Sequence, residues 1–495
     1  MHTDSAAERF RIVIIGAGFA GLGMAIRLKQ AGITDFVILE RAADVGGTWR
    51  DNSYPGCAVD VQSHLYSFSF APNPNWTQVY SPQAEIWSYI RQVSEAHDVL
   101  RHVRYEHEVI GGTWDESTQR WEVRTTAGTF DAQFVISGMG PLSNPIPPEI
   151  PGLETFTGHS FHSARWDHDH DLTGKRVAVI GTGSSAAQFV PEIQPKVGKM
   201  LVFQRTPGWT FPRLNRKITN VERSVYRRLP VVQRAVRARQ YLYRELVGFL
   251  VQHPGLIEPI SKARMRKQVK DPELRAKLTP NYRMGCKRII VTDDFHPALT
   301  KPNVSVVTSP ITEIRPTSIV TDDGAEHEVD TLILGTGFQV MPVADPLTGC
   351  DGVPLAKRWA NRREAYLGTT VTGYPNYFML VGPNTGTGHT SILLYLEAQV
   401  EYIVQALGHM GRTGAVSFDV RPDLQAAFNE DLQARLASSI WTDGGCRSWY
   451  LDPDGGTSVL WPGYTGRFRK ALRRFDPSAY TFADAPATEP AAVAS

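Results

Sequence analysis

The sequence predicts an α/β protein built from two doubly wound, Rossmann-like domains, the second carrying a helical insert. Three observations predict it. An apolar run, Arg11 to Ile15, leads into Gly16-Ala17-Gly18-Phe19-Ala20-Gly21, and a second, Arg176 to Ile180, leads into Gly181-Thr182-Gly183-Ser184-Ser185-Ala186. From Arg213 to Leu278 the chain turns Lys/Arg-rich with helical spacing. Short continuous apolar runs suit strands buried on both faces of a parallel sheet. A glycine turn that follows such a strand and opens a helix places backbone N–H groups and a helix N-terminus where a phosphate can sit.

The 495 residues allow two or three domains, and 42% hydrophobic with 21% charged residues is the balance of a soluble globular enzyme. Lys+Arg 52 against Asp+Glu 50 gives a net charge of +2, which offers no argument for a nucleic-acid partner. Cys57, Cys286, Cys350 and Cys446 are far apart and form no C-x-x-C, so they read as free thiols in a reducing compartment. The first ten residues lack a charged-then-apolar leader and no long apolar run appears, which together predict a cytoplasmic protein without a transmembrane segment.

In chain order, the first glycine loop is followed by a helix with Leu22, Ala25 and Leu28 on one face, closed by Gly32. The next strand, Phe36 to Leu39, ends on Glu40, an acid placed to accept from a ribose hydroxyl. Strands are expected at Glu106 to Ile110, Trp121 to Thr125 and Phe134 to Ser137, and Asn144 to Pro148 reads as a stiff linker. After the second glycine loop and the strand Met200 to Gln204, the residue at the offset of Glu40 is Arg205. An arginine there presents a planar fork of donors to a 2′-phosphate, so the first loop is suited to FAD and the second to NADPH. Ser184 and Ser185 do not make a hydrolase elbow, because the last glycine of G-x-S-x-G is missing.

In the insert, Pro230 is placed to start a helix. Val231, Ala235, Ala238, Leu242, Leu246 and Phe249 mark one face, expected to pack inward, while Arg234, Arg237 and Arg244 fall on a solvated face. Thr331 to Phe338 reads as the strand returning to the first domain, Pro375 to Asn384 as a second buried strand, and Leu393 to Ala406 as a helix. Trp441 to Trp461 either lines a substrate mouth or is surface structure. Asp167-His168-Asp169-His170-Asp171 alternates metal-capable side chains that an extended loop points in opposite directions, so no metal site is expected.

Two longer patterns go beyond the glycine loops. Phe156, Gly158, His162, Trp166 and Asp167 spell F-x-G-x-x-x-H-x-x-x-W-D, and Gly46-Gly47-Thr48-Trp49, Tyr54-Pro55-Gly56 and Asp60 spell G-G-x-W-x-x-x-x-Y-P-G-x-x-x-D. Both resemble the type I Baeyer–Villiger monooxygenases, a group of class B flavoprotein monooxygenases. The resemblance implies an FAD-binding domain from residues 1–143 and 331–495, an NADP-binding domain from 144–212 and 282–330, a helical subdomain at 213–281 and a disordered tail at 484–495. It places Gly16, Gly18, Phe19, Ala20, Gly21, Glu40, Gly47, Thr48, Trp49, Asp60, Tyr66 and Val109 at FAD. Ala58, Val59, Asp60, Gly181, Thr182, Gly183, Ser184, Ser185, Ala186, Arg205, Thr206, Lys287 and Arg288 fall at NADP.

The implied reaction takes NADPH, O2 and a ketone and inserts one oxygen beside the carbonyl, through a C4a-peroxyflavin, to give an ester or lactone, with sulfide oxidation as a side activity. Arg288 is the expected catalytic residue, Asp60 its support, and His162 and Trp166 belong to the hinge between domains. No obligate protein partner is expected. The rival readings are a flavin-containing monooxygenase acting on nitrogen or sulfur, and a flavoprotein that passes NADPH electrons to a partner.

Overall fold

The computed structural model describes residues 7–339 and 346–484. Two sheets organise them. The first runs in the order Leu347–Thr348, Val109–Asp115, Arg120–Thr125, Thr129–Ser137, Glu8–Ile15, Phe36–Leu39 and Val103–Arg104, with Tyr377–Met379 beside the end of Thr129–Ser137. Its centre is parallel, with Ile12 opposite both Phe36 and Phe134, and Ile12, Val13 and Ile14 are wholly buried. These apolar residues face helices on one side and the antiparallel strands' Trp121 and Val123 on the other, so both faces must be apolar. The helix Phe19–Gln30 lies against the long helix Ile392–Thr413, whose start at Ser391 is capped by the serine hydroxyl accepting from Leu393 N–H.

The second sheet is parallel throughout, in the order Val304–Val307, Lys199–Phe203, Arg176–Ile180, Thr331–Leu334 and His159–His162. One expectation changes here. Thr331–Leu334 pairs with Arg176–Ile180 and His159–His162, so it is an inner strand of the second sheet, and the return to the first sheet comes after it. A uniformly apolar strand fits the middle of either sheet, which is why pattern alone misplaced it. The fingerprint segment supplies the edge strand His159–His162.

The expected helix from Pro230 is present as Pro230–Gln252, but inverted. Its buried residues are Gln233, Gln240, Arg244 and Val251, whereas Val231, Leu242, Leu246 and Phe249 are exposed. Periodicity finds a face without saying which way it points. Here the polar face turns inward because the loop around residues 60–73 offers unpaired carbonyls. Gln233 Nε2 donates to Asn73 O at 2.7 Å, Arg237 Nη1 to His64 O at 2.6 Å and Ser67 O at 2.9 Å, and Arg244 Nη2 to Asp60 O at 2.9 Å. Arg237 and Arg244 are therefore clamps, not solvated charges.

The cysteines are the third correction. Cys286 and Cys446 form a disulfide with their Cα atoms 6.1 Å apart, leaving Cys57 and Cys350 as thiols. Their 160-residue separation hid the pairing, since sequence spacing carries no information about two segments that meet only in the folded chain. The expected strand Pro375–Asn384 is regular only over Tyr377–Met379. Of the tail expected at 484–495, residues 485–495 lie outside the described residues.

Candidate functional site

Both glycine loops end in a helix whose N-terminus is bare. The helices Phe19–Gln30 and Ser184–Ile193 start at Gly18 and Gly183, neither has a side chain capping its first turn, and neither has an acid there. Uncapped N–H groups with an unneutralised dipole attract an anion such as a pyrophosphate. The glycines give that anion backbone access. Gly16 and Gly181 have φ of +91° and +109°, and a Cβ on Gly21 would fall 1.9 Å from the Gly16 carbonyl oxygen. Phe19, Ala20 and Ala186 are buried behind the loops.

Glu40 ends the second strand and is buried. Its Oε2 accepts from Ala17 N–H at 2.8 Å, and Oε1 accepts from Ala42 N–H and Arg50 Nη1, each at 3.0 Å. The acid is thus fixed against the glycine turn, as a ribose acceptor needs to be. Gly47, at φ +50°, brings Gly18 so close that an added Cβ would sit 3.3 Å from the Gly18 Cα. Thr48 and Trp49 open the short helix Thr48–Asp51, and Trp49 Nε1 donates to the Tyr66 hydroxyl at 3.0 Å. Burial raises the Tyr66 phenol to about 12, which keeps it neutral and able to donate onward. Val109 begins its strand half-buried.

At the second loop, Arg205 follows the strand Lys199–Phe203 with Thr206 next to it, and Lys287 comes from beyond the insert. Burial, and then the nearby Arg205 charge, lower the Lys287 ammonium below its usual range. Lys287 stands over the Tyr282 ring at 5.2 Å, and no acid pairs with either cation among the described residues. Two cations held together without a counter-charge have the donors and the charge that a phosphate group needs.

The segment joining the loops is the best-defined part. Arg288 donates to Asp60 Oδ2 from Nη2 at 2.6 Å and from Nε at 3.2 Å. Burial alone would raise the Asp60 carboxyl, but the Arg288 charge and hydrogen bond, with Arg244 behind, hold it below the ordinary carboxylate range. Asp60 in turn raises the Arg288 guanidinium, so the pair stays charged. Beside it lies a largely apolar cavity lined by Phe211, Val247, Leu250, Ile289, Gly388 and His389. Trp441 and Tyr450 of the Trp/Gly-rich segment are buried, and the Tyr450 hydroxyl faces Arg288. Those two side chains are therefore part of an inner wall, while Trp449 of the same segment is 44% exposed and lies at the surface.

The fingerprint side chains hold the second sheet's edge. Phe156 packs on the three-stranded sheet of residues 311–328, and a Cβ on Gly158 would meet the Asp330 carbonyl oxygen at 2.5 Å. His162 Nδ1 accepts from Ala164 N–H at 3.1 Å with its ring against Phe338, Trp166 packs between Phe161 and Phe189, and Asp167 pairs with His159 at 2.8 Å. Among the described residues no group of His, Cys, Asp and Glu is arranged to hold a metal.

Sequence reasoning missed Gln188, which ties the helix after the second glycine loop to the Tyr54–Ala58 segment. Its Oε1 accepts from Tyr54 OH at 3.0 Å and Ala58 N–H at 3.2 Å, and its Nε2 donates to Ala58 O at 2.9 Å. Val59 O is held by Arg213 Nη2 at 3.2 Å. The available signal for Gln188 was its place one turn past Ser184, on the face the glycine loop exposes.

The donor sets fit the two dinucleotides: bare helix ends for pyrophosphates, Glu40 for a ribose, and Arg205 with Lys287 for a further phosphate. Residues 9–346 match the flavin-binding monooxygenase-like family. The chain is 49% identical over 484 residues to a Baeyer-Villiger monooxygenase of Streptomyces coelicolor, covering 96% of this chain and 93% of that one. It is 46% identical to one of Pseudomonas aeruginosa over 495 residues, covering 98% and 93%. A solved structure of OTEMO in complex with FAD and NADP is similar at a TM-score of 0.87 and 26% identity, over 97% of this chain and 100% of that one.

Proposed function

Since this chain belongs to the flavin-binding monooxygenase-like family, and within it to the Baeyer–Villiger monooxygenases, we propose that Arg288, held by Asp60, is the catalytic side chain of a ketone-oxygenating site. The enzyme is an NADPH-dependent flavin monooxygenase with FAD as its flavin. Bound FAD and NADPH supply the redox chemistry, carrying electrons from the nicotinamide to O2 so that one oxygen enters beside a ketone carbonyl. Everything else falls to the protein.

Glu40 and the helix end at Gly18 hold the flavin dinucleotide, with Thr48, Trp49 and Tyr66 against its ring, while Val109 takes its adenine end. Arg205 and Lys287 hold the 2′-phosphate of NADPH, and Ala58, Val59 and Thr206 line its path. Arg288 keeps its proton throughout, so it offers a permanent positive charge to oxygen atoms that gain negative charge during the reaction. A charge fixed in advance needs no reorganisation at that moment. Asp60 fixes its direction. The small apolar cavity next to Ile289, about 40 Å³, keeps water from this side of Arg288 and marks the side from which the ketone reaches it. His162 and Trp166 serve closure between the two nucleotide domains, the first formed by residues 1–143 with the chain returning after Leu334, the second flanking the 213–281 insert. A cytoplasmic setting without an obligate protein partner belongs to the same reading, although the Cys286–Cys446 bridge removes the thiol argument for it.

The observation that carries this reading is the 2.6 Å contact of Arg288 with Asp60 beside the cavity. The relatives' names favour ketone oxygenation over nitrogen or sulfur oxygenation and over electron donation. The test is to measure ester or lactone formed and hydrogen peroxide released per NADPH oxidised, over cyclic and aryl ketones. Wild type is expected to couple NADPH to product, and Arg288→Ala to oxidise NADPH while product falls by roughly a hundredfold or more. An Arg288→Ala enzyme that still couples normally would remove Arg288 from the chemistry.

A further inference from the structure

The insert helix Pro230–Gln252 presents its apolar side to solvent. Val231, Leu242, Leu246 and Phe249 are 67%, 66%, 54% and 40% exposed, and Leu229, Leu256 and Ile260 beyond the helix's two ends are exposed as well. Scattered exposed leucines are ordinary, but a stripe aligned over about five helical turns is an interaction surface. Arg234 and Arg239 flank it, both exposed, and Arg227 and Arg228 extend the basic flank at the end of the preceding helix, Asn220–Arg228.

We infer that this face docks on an anionic phospholipid surface. Charge selects the occupant. Residues 213–281 carry 17 Lys and Arg against 5 Asp and Glu, in a chain whose net charge is only +2. A second copy seated on this face would set like charge against like, whereas anionic headgroups neutralise it. Shape agrees, because a single convex helix with an apolar stripe and arginine flanks suits the headgroup–acyl boundary of a bilayer. No helix among the described residues is long and apolar enough to cross a membrane, so the attachment is peripheral. The opposite side of the same helix supplies Tyr243, Arg244, Val247 and Val251 to the cavity beside Arg288. On the proposed reading of that cavity, the docked helix separates the bilayer from the oxygenation site by its own thickness, which points to lipophilic ketones that partition into the membrane.

The experiment is flotation of the FAD-loaded full chain with vesicles of phosphatidylcholine and phosphatidylglycerol in equal parts, and with phosphatidylcholine alone. Wild type is expected to float with the anionic vesicles and far less with the neutral ones. Replacing Leu242→Gln and Leu246→Gln together should cut the partition by roughly tenfold per side chain. Arg234→Gln and Arg239→Gln should each cut it about fivefold, on anionic vesicles only. These surface variants should oxidise NADPH as wild type does, showing that the fold is kept. Wild type that stays in solution with both vesicles overturns the proposal. So does a lipid-free dimer that Leu242→Gln with Leu246→Gln dissolves, since the face would then cover a second copy, and so does floating of that double variant to the wild-type extent. Failure of ketone turnover would instead sink the catalytic reading and leave the flotation result standing.

Discussion

Arg288 spends both of its contacts with Asp60 on one carboxylate oxygen: Nη2 at 2.6 Å and Nε at 3.2 Å donate to Oδ2, and neither bond uses Nη1. Asp60 thereby sets the plane of the guanidinium, which the Tyr450 hydroxyl also faces. The backbone of Asp60 is itself pinned by Arg244 from the insert helix.

If Asp60 acts through Arg288, its removal should be masked when Arg288 is gone. Asp60→Ala should lower product formation by roughly 10- to 100-fold with FAD retained, and Asp60→Ala with Arg288→Ala should be no worse than Arg288→Ala alone. The check is a double-mutant cycle on product formed per NADPH. Additive losses would mean that the two side chains work separately.

Arg205 and Lys287 converge without an acid, so their selectivity belongs to a dianionic group. Arg205→Ala should weaken NADPH by about 10- to 100-fold, the worth of a charge-assisted hydrogen bond, and leave NADH nearly unchanged. KM for the two dinucleotides, measured side by side, decides it.

His64 and His296 are both buried, and burial followed by a neighbouring arginine lowers each to about 4. The unfolded chain, near the ordinary value of about 6.5, takes up these protons first. Their contribution to stability is therefore complete above about 6.5 and is lost as pH falls towards about 4. Urea unfolding across that window should show stability dropping with acid, and the drop should be shallower in His296→Gln. A slope unaltered by that change would assign the acid sensitivity elsewhere.

The Cys286–Cys446 bridge ties the residue before Lys287 to the segment that carries Tyr450 against Arg288. Cys446→Ser should lower stability by about 2–4 kcal/mol and loosen residues 444–450 in hydrogen exchange. Peroxide leakage should rise as Arg288 loses a wall. Unchanged exchange in that segment would show that backbone contacts, such as Arg283 N–H to Gly444 O at 3.0 Å, hold it without the bridge.

Both βαβ starts, Glu40, Arg205 and the Asp60–Arg288 pair were legible because each sits at a short, fixed offset from a glycine turn or a strand, or in a pattern long enough to resemble a family. Strands Phe36–Leu39 and Arg176–Ile180 appear with the expected bounds. What stayed hidden depends on direction or on distance along the chain. The insert helix was found and its inward face misjudged, since the carbonyls that attract Arg237 and Arg244 come from a loop some 170–180 residues earlier. The disulfide and Gln188 share that character. Each joins segments whose meeting is a property of packing, and single-residue patterns do not report it.

The carboxylate of Asp60 and the guanidinium of Arg288 are separated by 228 residues, with the later strands of the first sheet, the fingerprint, the second glycine loop and the whole insert between them. During synthesis the acid emerges long before its partner, with Arg244 of the insert helix made in between. The pair thus forms only when the chain leaving the insert packs against the loop that carries Asp60. Catalytic output is for that reason a gauge of correct docking: a chain whose two sheets had each formed but whose halves met in the wrong register would bind nucleotides and oxygenate nothing.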